Sequence, residues 1–134
     1  MTLACRVLIA GEAEGPLLRL RAPLSLWGGV DPVSGVITQP RHPDHGRCIA
    51  GSVLAMPRAI GSSSSSAVLL ELLYTGHAPR ALLLGEVDAI LCLGVIVARE
   101  MGYATIPVLA CDVAGIADGE VVRVGEGGIS VAAG

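Results

Sequence analysis

Between Ile49 and Ala110, short apolar runs alternate with two stretches of helical length, and that order leaves few folds open. Ile49–Met56 reads as a strand. Ala81-Leu82-Leu83-Leu84 and Ile106–Ala110 are short and apolar throughout, as strands buried on both faces of a parallel sheet are. Between them, Val68, Leu69, Leu72 and Leu73 share one helical face with Glu71 outside, and the pattern stops at Thr75-Gly76, where glycine favours a left-handed helix end. A second helix starts with Asp88 as its cap and runs through Ile90, Leu91, Leu93, Val97 and Met101 to Gly102. It is apolar almost all round, which places it between layers or at an interface. Strand–helix–strand–helix–strand is the signature of a parallel sheet covered by helices.

The flanks read as strands without helices. Ala4–Ala10 is one, residues 11–16 form a turn-rich connection, and Leu17–Leu20 is a short second strand in which Arg19 and Arg21 alternate with leucines. Residues 118–124 and 128–131 are two more, joined by Gly125 to Gly127. The expected class is α/β, a small mixed sheet or open barrel with two main helices. With no internal repeat and no dividing linker, residues 1–134 are expected to form a single domain.

Composition narrows the function. Charged residues make up 16% of the chain, against the usual ~25%, so part of the surface is expected to lie against a partner. No membrane span is expected: the longest apolar run, Ala89–Ala98, is flanked by charges and far short of the ~20 residues that spanning takes. All nine basic residues are arginine, phenylalanine is absent, and there are one Trp and two Tyr. Stacking platforms and lysine-rich patches are missing, which argues against nucleic acid. Without lysine the chain cannot form a Schiff base or a Walker-type phosphate loop. The four cysteines form no CxxC pair and each adjoins an apolar stretch. They read as small buried hydrophobes of a disulfide-free cytoplasmic protein with no metal site of its own.

Three loops carry the residues suited to chemistry: Trp27–Pro32, Gln39–Gly46 and Arg58–Ser66. In the first, Gly28-Gly29 allows positive φ or close backbone approach, and Asp31 serves either a substrate hydroxyl or its own turn. The second holds acid, base and cation in Arg41-His42-Pro43-Asp44-His45, where a histidine is more often an exposed, hydrogen-bonded residue than a catalyst. The third, Gly61-Ser62-Ser63-Ser64-Ser65-Ser66, runs into the first helix. Serine is a preferred N-cap, and a helix start welcomes anions. No Gly-x-Ser-x-Gly elbow surrounds these serines, so a hydrolase triad is not supported.

Leu26-Trp27-Gly28-Gly29-Val30-Asp31-Pro32, Arg41-His42-Pro43, Gly51–Pro57 and Gly61-Ser62 before Val68-Leu69-Leu70-Glu71-Leu72 together resemble the small subunit of aconitase X proteins, and the similarity spans nearly the whole chain. The resemblance implies a swivelling β/β/α domain like the fourth domain of aconitases, docked on a large subunit that carries an iron–sulfur cluster or iron. It implies a hydro-lyase acting on a small hydroxy acid, cis-3-hydroxy-L-proline or mevalonate 5-phosphate, with Ser62 as the base. Arg58, Gly61, Ser63, Gly28, Gly29, Asp31 and His42 are the expected substrate-binding residues, and this chain is expected to bind no cofactor itself. The alanine- and arginine-rich composition favours the bacterial substrate, cis-3-hydroxy-L-proline. The serines that fill the rest of the loop depart from the family pattern. A phosphohistidine carrier of similar shape would need histidine where this chain has serine. A non-catalytic interaction subunit would use the serine run only as a cap.

Overall fold

The computed structural model describes residues 2–60 and 63–131. Ten elements follow in order: β1 (Thr2–Ala4), β2 (Arg6–Ile9), β3 (Ala13–Arg19), β4 (Val53–Met56), α1 (Ser64–Thr75), β5 (Ala81–Leu84), α2 (Ala89–Glu100), β6 (Val108–Ala110), β7 (Val121–Gly125) and β8 (Gly128–Val131). The strands form one eight-stranded mixed sheet in the order β1-β8-β7-β3-β4-β5-β6-β2. Its centre, β3-β4-β5-β6, is parallel, and antiparallel pairs complete both sides. The two ends of that order, β1 and β2, are consecutive in the chain and separated only by Cys5. The sheet therefore comes round on itself into a barrel that the chain closes.

This closure corrects two expectations. The segment expected as one strand, Ala4–Ala10, is split at Cys5 because its halves pair with different partners, β8 and β6. Cys5 is also bonded to Cys111, so the chain is not disulfide-free. The register explains the bond: Arg6 pairs with Ala110, which sets Cys5 beside Cys111 across the seam. In a chain-entropy account, a cross-link spanning 106 positions contributes about 4–5 kcal/mol. Cys48 and Cys92 remain free, and burial, with the Asp88 carboxylate adding, pushes the Cys92 thiol up. A third correction concerns residues 13–16, expected in a turn. They are the first half of β3, paired with β7 from Ala13↔Val124 to Pro16↔Val121. Gly15 and Pro16 give local turn signals, but a ladder to a segment over a hundred residues away overrides them.

Alternation in the central strands serves two cores. Leu54, Met56, Leu82, Leu84 and Val108 face α1 and α2, packing with Leu69, Leu72, Leu91 and Val95. Val53, Ala55, Ala81, Leu83 and Leu109 face the barrel interior with Leu17, Val122, Val124 and Ile129. That is why these strands are apolar throughout rather than alternating. The two helices cross closely at Gly94, where a Cβ would come within 2.8 Å of the Ser66 carbonyl oxygen. Both predicted helix signals hold: Gly76 ends α1 with φ 81°, and the Asp88 carboxylate caps α2 by accepting from the N–H groups of Ile90 and Leu91. The outer face of α2, with Ile90, Leu93, Ile96 and Met101, is exposed and apolar. Among the described residues, no helix is long and apolar enough to cross a membrane.

Candidate functional site

The long connection between β3 and β4 and the short one between β4 and α1 come together at one edge of the parallel strands. Leu24 is the pivot. It bridges Ala59 in parallel and accepts a hydrogen bond from the Ile60 N–H at 3.1 Å, which lays residues 58–60 alongside it. On the other side, the Ser25 N–H donates to Gln39 Oε1, and Gly29 O accepts from Thr38 and Gln39. All three loops singled out from the sequence thus converge.

Within the first loop, the glycine pair has two distinct roles. Gly28 has φ 77° and open space around it, whereas at Gly29 a Cβ would lie 2.0 Å from the Ser25 carbonyl oxygen. The close approach at Gly29 is therefore to the chain itself. Asp31 makes the turn: its carboxylate accepts from the Val33 N–H at 3.0 Å and the Ser34 hydroxyl at 2.9 Å. These two bonds, led by Val33, hold its carboxyl below the ordinary aspartate value.

The second loop is built on buried polar groups. His42 is 5% exposed; Nε2 donates to Ala22 O, and Nδ1 accepts from the Asp44 N–H, which fixes the proton on Nε2. The Asp44 side chain is fully buried and accepts from the Arg21 N–H at 3.0 Å and from the guanidinium groups of Arg21 at 3.2 Å and Arg47 at 3.3 Å. Burial alone would raise the Asp44 carboxyl, but the Arg21 N–H and the two guanidinium groups outweigh it and hold the value down. Arg47 continues to Asp118, which also accepts from the Arg19 N–H. The loop is thereby tied to the end of β3 and to the segment before β7.

The third loop is different. Gly61 and Ser62 lie outside the described residues. Arg58 is exposed, and among the described residues its side chain has no hydrogen bond or ion pair. Ser63 is the N-cap of α1 but makes no side-chain cap bond, contrary to the expected role of the serine run. Its φ −58° and ψ −17° are already helical, and a capping hydroxyl reaches back only from an extended residue. Ser66 donates to the Ser63 carbonyl oxygen instead, through both N–H and hydroxyl. The Ser65 hydroxyl is buried without a partner among the described residues.

Beside these loops, the ends of β3, β4, β5 and β6 frame a crevice of about 570 Å³, with Arg19, Arg21, Pro57, Glu86 and Asp112 around it. Parallel sheets characteristically bind ligands at this carboxyl edge. Two further hollows, about 660 Å³ beside the β7–β8 turn and about 520 Å³ beside Gly76 and Arg80, are lined by no residue of the three loops; nor is the crevice, which comes next to them at Pro57, the residue before Arg58. Sequence reading took Arg19 and Arg21 only as an alternating strand edge, named Asp44 only as the acid of the second loop, and did not find Asp112. Their grouping depends on strand ends far apart in the chain. Among the described residues, no three His, Cys, Asp or Glu side chains group as a metal would need.

Comparison with known proteins agrees with this architecture. The family model described as the aconitase X swivel domain matches residues 2–131. A cis-3-hydroxy-L-proline dehydratase of Pseudomonas aeruginosa is 49% identical over 106 residues, 79% of this chain but 18% of that protein. The phosphomevalonate dehydratase small subunit of Thermococcus onnurineus is 40% identical over 125 residues, 92% of both chains. The chain thus spans under a fifth of the first relative and nearly all of the second. The crystal structure of Thermococcus kodakaraensis aconitase X in its holo form superposes with a TM-score of 0.90, at 34% identity and 99% coverage of both chains.

Proposed function

Because the chain belongs to the aconitase X swivel domain family, we propose that it works, as one swivel domain over residues 1–134, as the small subunit of a cytoplasmic two-part hydro-lyase. The larger part is a separate chain here, as the near-complete match to archaeal small subunits supports. The exposed apolar face of α2 and the low charge of the chain fit a subunit covered by another. Among the described residues no three His, Cys, Asp or Glu side chains group as a metal would need; this reading assigns the iron–sulfur cluster or iron to the large subunit, and no step below is routed through it.

The substrate is a small hydroxy acid, cis-3-hydroxy-L-proline in the first place; mevalonate 5-phosphate is the alternative, since relatives of both names match. Dehydration removes a proton next to a carboxylate and a hydroxide from the neighbouring carbon. Ser62 takes the proton. Serine is a weak base at neutral pH and needs its alkoxide stabilised; the start of α1 and the guanidinium of Arg58, which has no partner among the described residues, take that role in this reading. Gly61 and Ser63 flank the base, Gly28 and Gly29 shape the adjoining wall, and Asp31 and His42 hold that wall rather than meet the substrate.

The observation that supports this reading is that Ala59 and Ile60 are held along Leu24 at the carboxyl edge of the parallel strands and that α1 starts after Ser63, which brackets Ser62 in the chain. The test is turnover by the complex reconstituted with its large chain. Ser62→Ala is expected to lower kcat by about 10²–10⁴-fold while the complex still assembles. Near-normal turnover in that variant would remove Ser62 as the base and favour a non-catalytic interaction subunit.

A further inference from the structure

The crevice at the strand ends carries a charge pattern that the dehydratase reading does not use. Two arginines and two acidic residues line it together, Arg19 and Arg21 at the end of β3, Glu86 after β5 and Asp112 after β6. Arg21 is held from behind. The buried Asp44 takes its backbone N–H and its Nη2, and Nη2 also donates to the Pro43 carbonyl oxygen. Arg19 is held by its N–H on Asp118 and its Nη1 on the Ala114 carbonyl oxygen. Its Nε and Nη2, the side-on pair that grips a carboxylate with two bonds, have no partner among the described residues. The acids are complementary: Asp112 spends one oxygen on the Ala114 N–H, and the Glu86 carboxylate is exposed and unpaired among the described residues.

We infer that this crevice takes a zwitterionic amino acid, its carboxylate on Arg21 and Arg19 and its ammonium facing Glu86 and Asp112. A zwitterion answers both signs of charge at once. A phosphorylated acid is negative at both ends, so the two carboxylates oppose it, and discrimination comes from repulsion as much as attraction. The inference rests on the dehydratase reading and selects the imino acid over the phosphorylated acid within it. It also gives Asp44 a positioning role, since that carboxylate sets where the Arg21 guanidinium lies.

The experiment is calorimetric titration of the reconstituted complex with two probes. L-Proline lacks the hydroxyl that would leave, so binding is read without turnover. Cyclopentanecarboxylate keeps the ring and the carboxylate and lacks the ammonium. Arg21→Gln is expected to weaken both probes at least tenfold. Arg21→Lys, which keeps the charge beside Asp44, is expected to recover part of that loss, which an unfolded variant would not do. The double variant Glu86→Gln, Asp112→Asn is expected to weaken L-proline at least fivefold and leave cyclopentanecarboxylate within twofold. The inference is overturned if wild type does not bind L-proline, if Arg21→Gln binds both probes within twofold of wild type, or if the double variant weakens both equally. A wild-type complex that binds L-proline but does not dehydrate cis-3-hydroxy-L-proline would instead overturn the proposed function and leave the crevice assignment standing.

Discussion

The loops on either side of Leu24 solve opposite problems. From Ser25 to Arg47, polar side chains turn back on the chain: Gln39 onto Ser25, Asp31 onto Val33 and Ser34, His42 onto Ala22, and buried Asp44 onto two arginines. From Pro57 to Ile60 and at Ser63, among the described residues, that inventory is nearly empty. Arg58 is uncommitted, Ser63 does not cap its helix, and backbone contacts at Ala59 and Ile60 do the holding. A polar group already satisfied by its own chain has little left for a substrate, and a group left unsatisfied next to a helix start has much. In the proposed function the first region is a wall and the second presents the reacting groups.

That contrast can be broken by substitution. The largest effect belongs to the presenting side: Ser62→Ala should cost two to four orders of magnitude in kcat and leave the midpoint of thermal unfolding within about 2 °C. An equal fall in stability and activity would make residue 62 part of the wall. On the wall side the order reverses. Gly29→Ala drives a Cβ against the Ser25 carbonyl oxygen and is expected to destabilise by about 3 kcal/mol, read from denaturant unfolding. Gly28→Ala, strained only by its positive φ, should cost about 1–2 kcal/mol.

Asp44→Asn comes next, at about 1–3 kcal/mol, because the Arg21 N–H and two guanidinium groups lose an ionised acceptor. The pH dependence follows from its lowered carboxyl. Unfolded, the group protonates near its ordinary value of 3.8; folded, it stays ionised below that. The unfolded chain therefore binds the proton first. The contribution is fully present above the ordinary value and is lost as pH falls through the lower, folded one. Unfolding curves between pH 5 and pH 2 should show this acid loss in wild type and a smaller one in Asp44→Asn. The smallest effect is expected at Ser63→Ala, under about 0.5 kcal/mol, because its hydroxyl makes no cap bond. A loss near 1 kcal/mol would show the serine to be a working cap after all.

Much of the frame was legible in the chain. The two helices, their stops and the Asp88 cap depend on residues within one or two turns of each other, so local patterns reveal them. The doubly buried strands showed themselves by continuous apolarity. Asp31, Gly28 and Gly29 were marked as turn and backbone-approach positions, though not that Gly29 approaches its own chain. A histidine in the second loop was read as an exposed, hydrogen-bonded residue rather than a catalyst; His42 is hydrogen-bonded through both ring nitrogens but is buried, because the loop folds its ring onto Ala22.

By itself the sequence determined the element order, the two-sided apolar strands, the missing lysine chemistry and, through whole-chain resemblance, the family. Tertiary structure alone decided that the first ten residues divide between opposite ends of the sheet, that Cys5 meets Cys111, that residues 13–16 extend β3, and that Arg19, Arg21, Glu86 and Asp112 share one crevice. The physical reason is range. Caps, turns and helix faces are settled by neighbours a few residues away, whereas a closed sheet brings together groups as far apart as Thr2 and Ser130 through a register that no local pattern encodes.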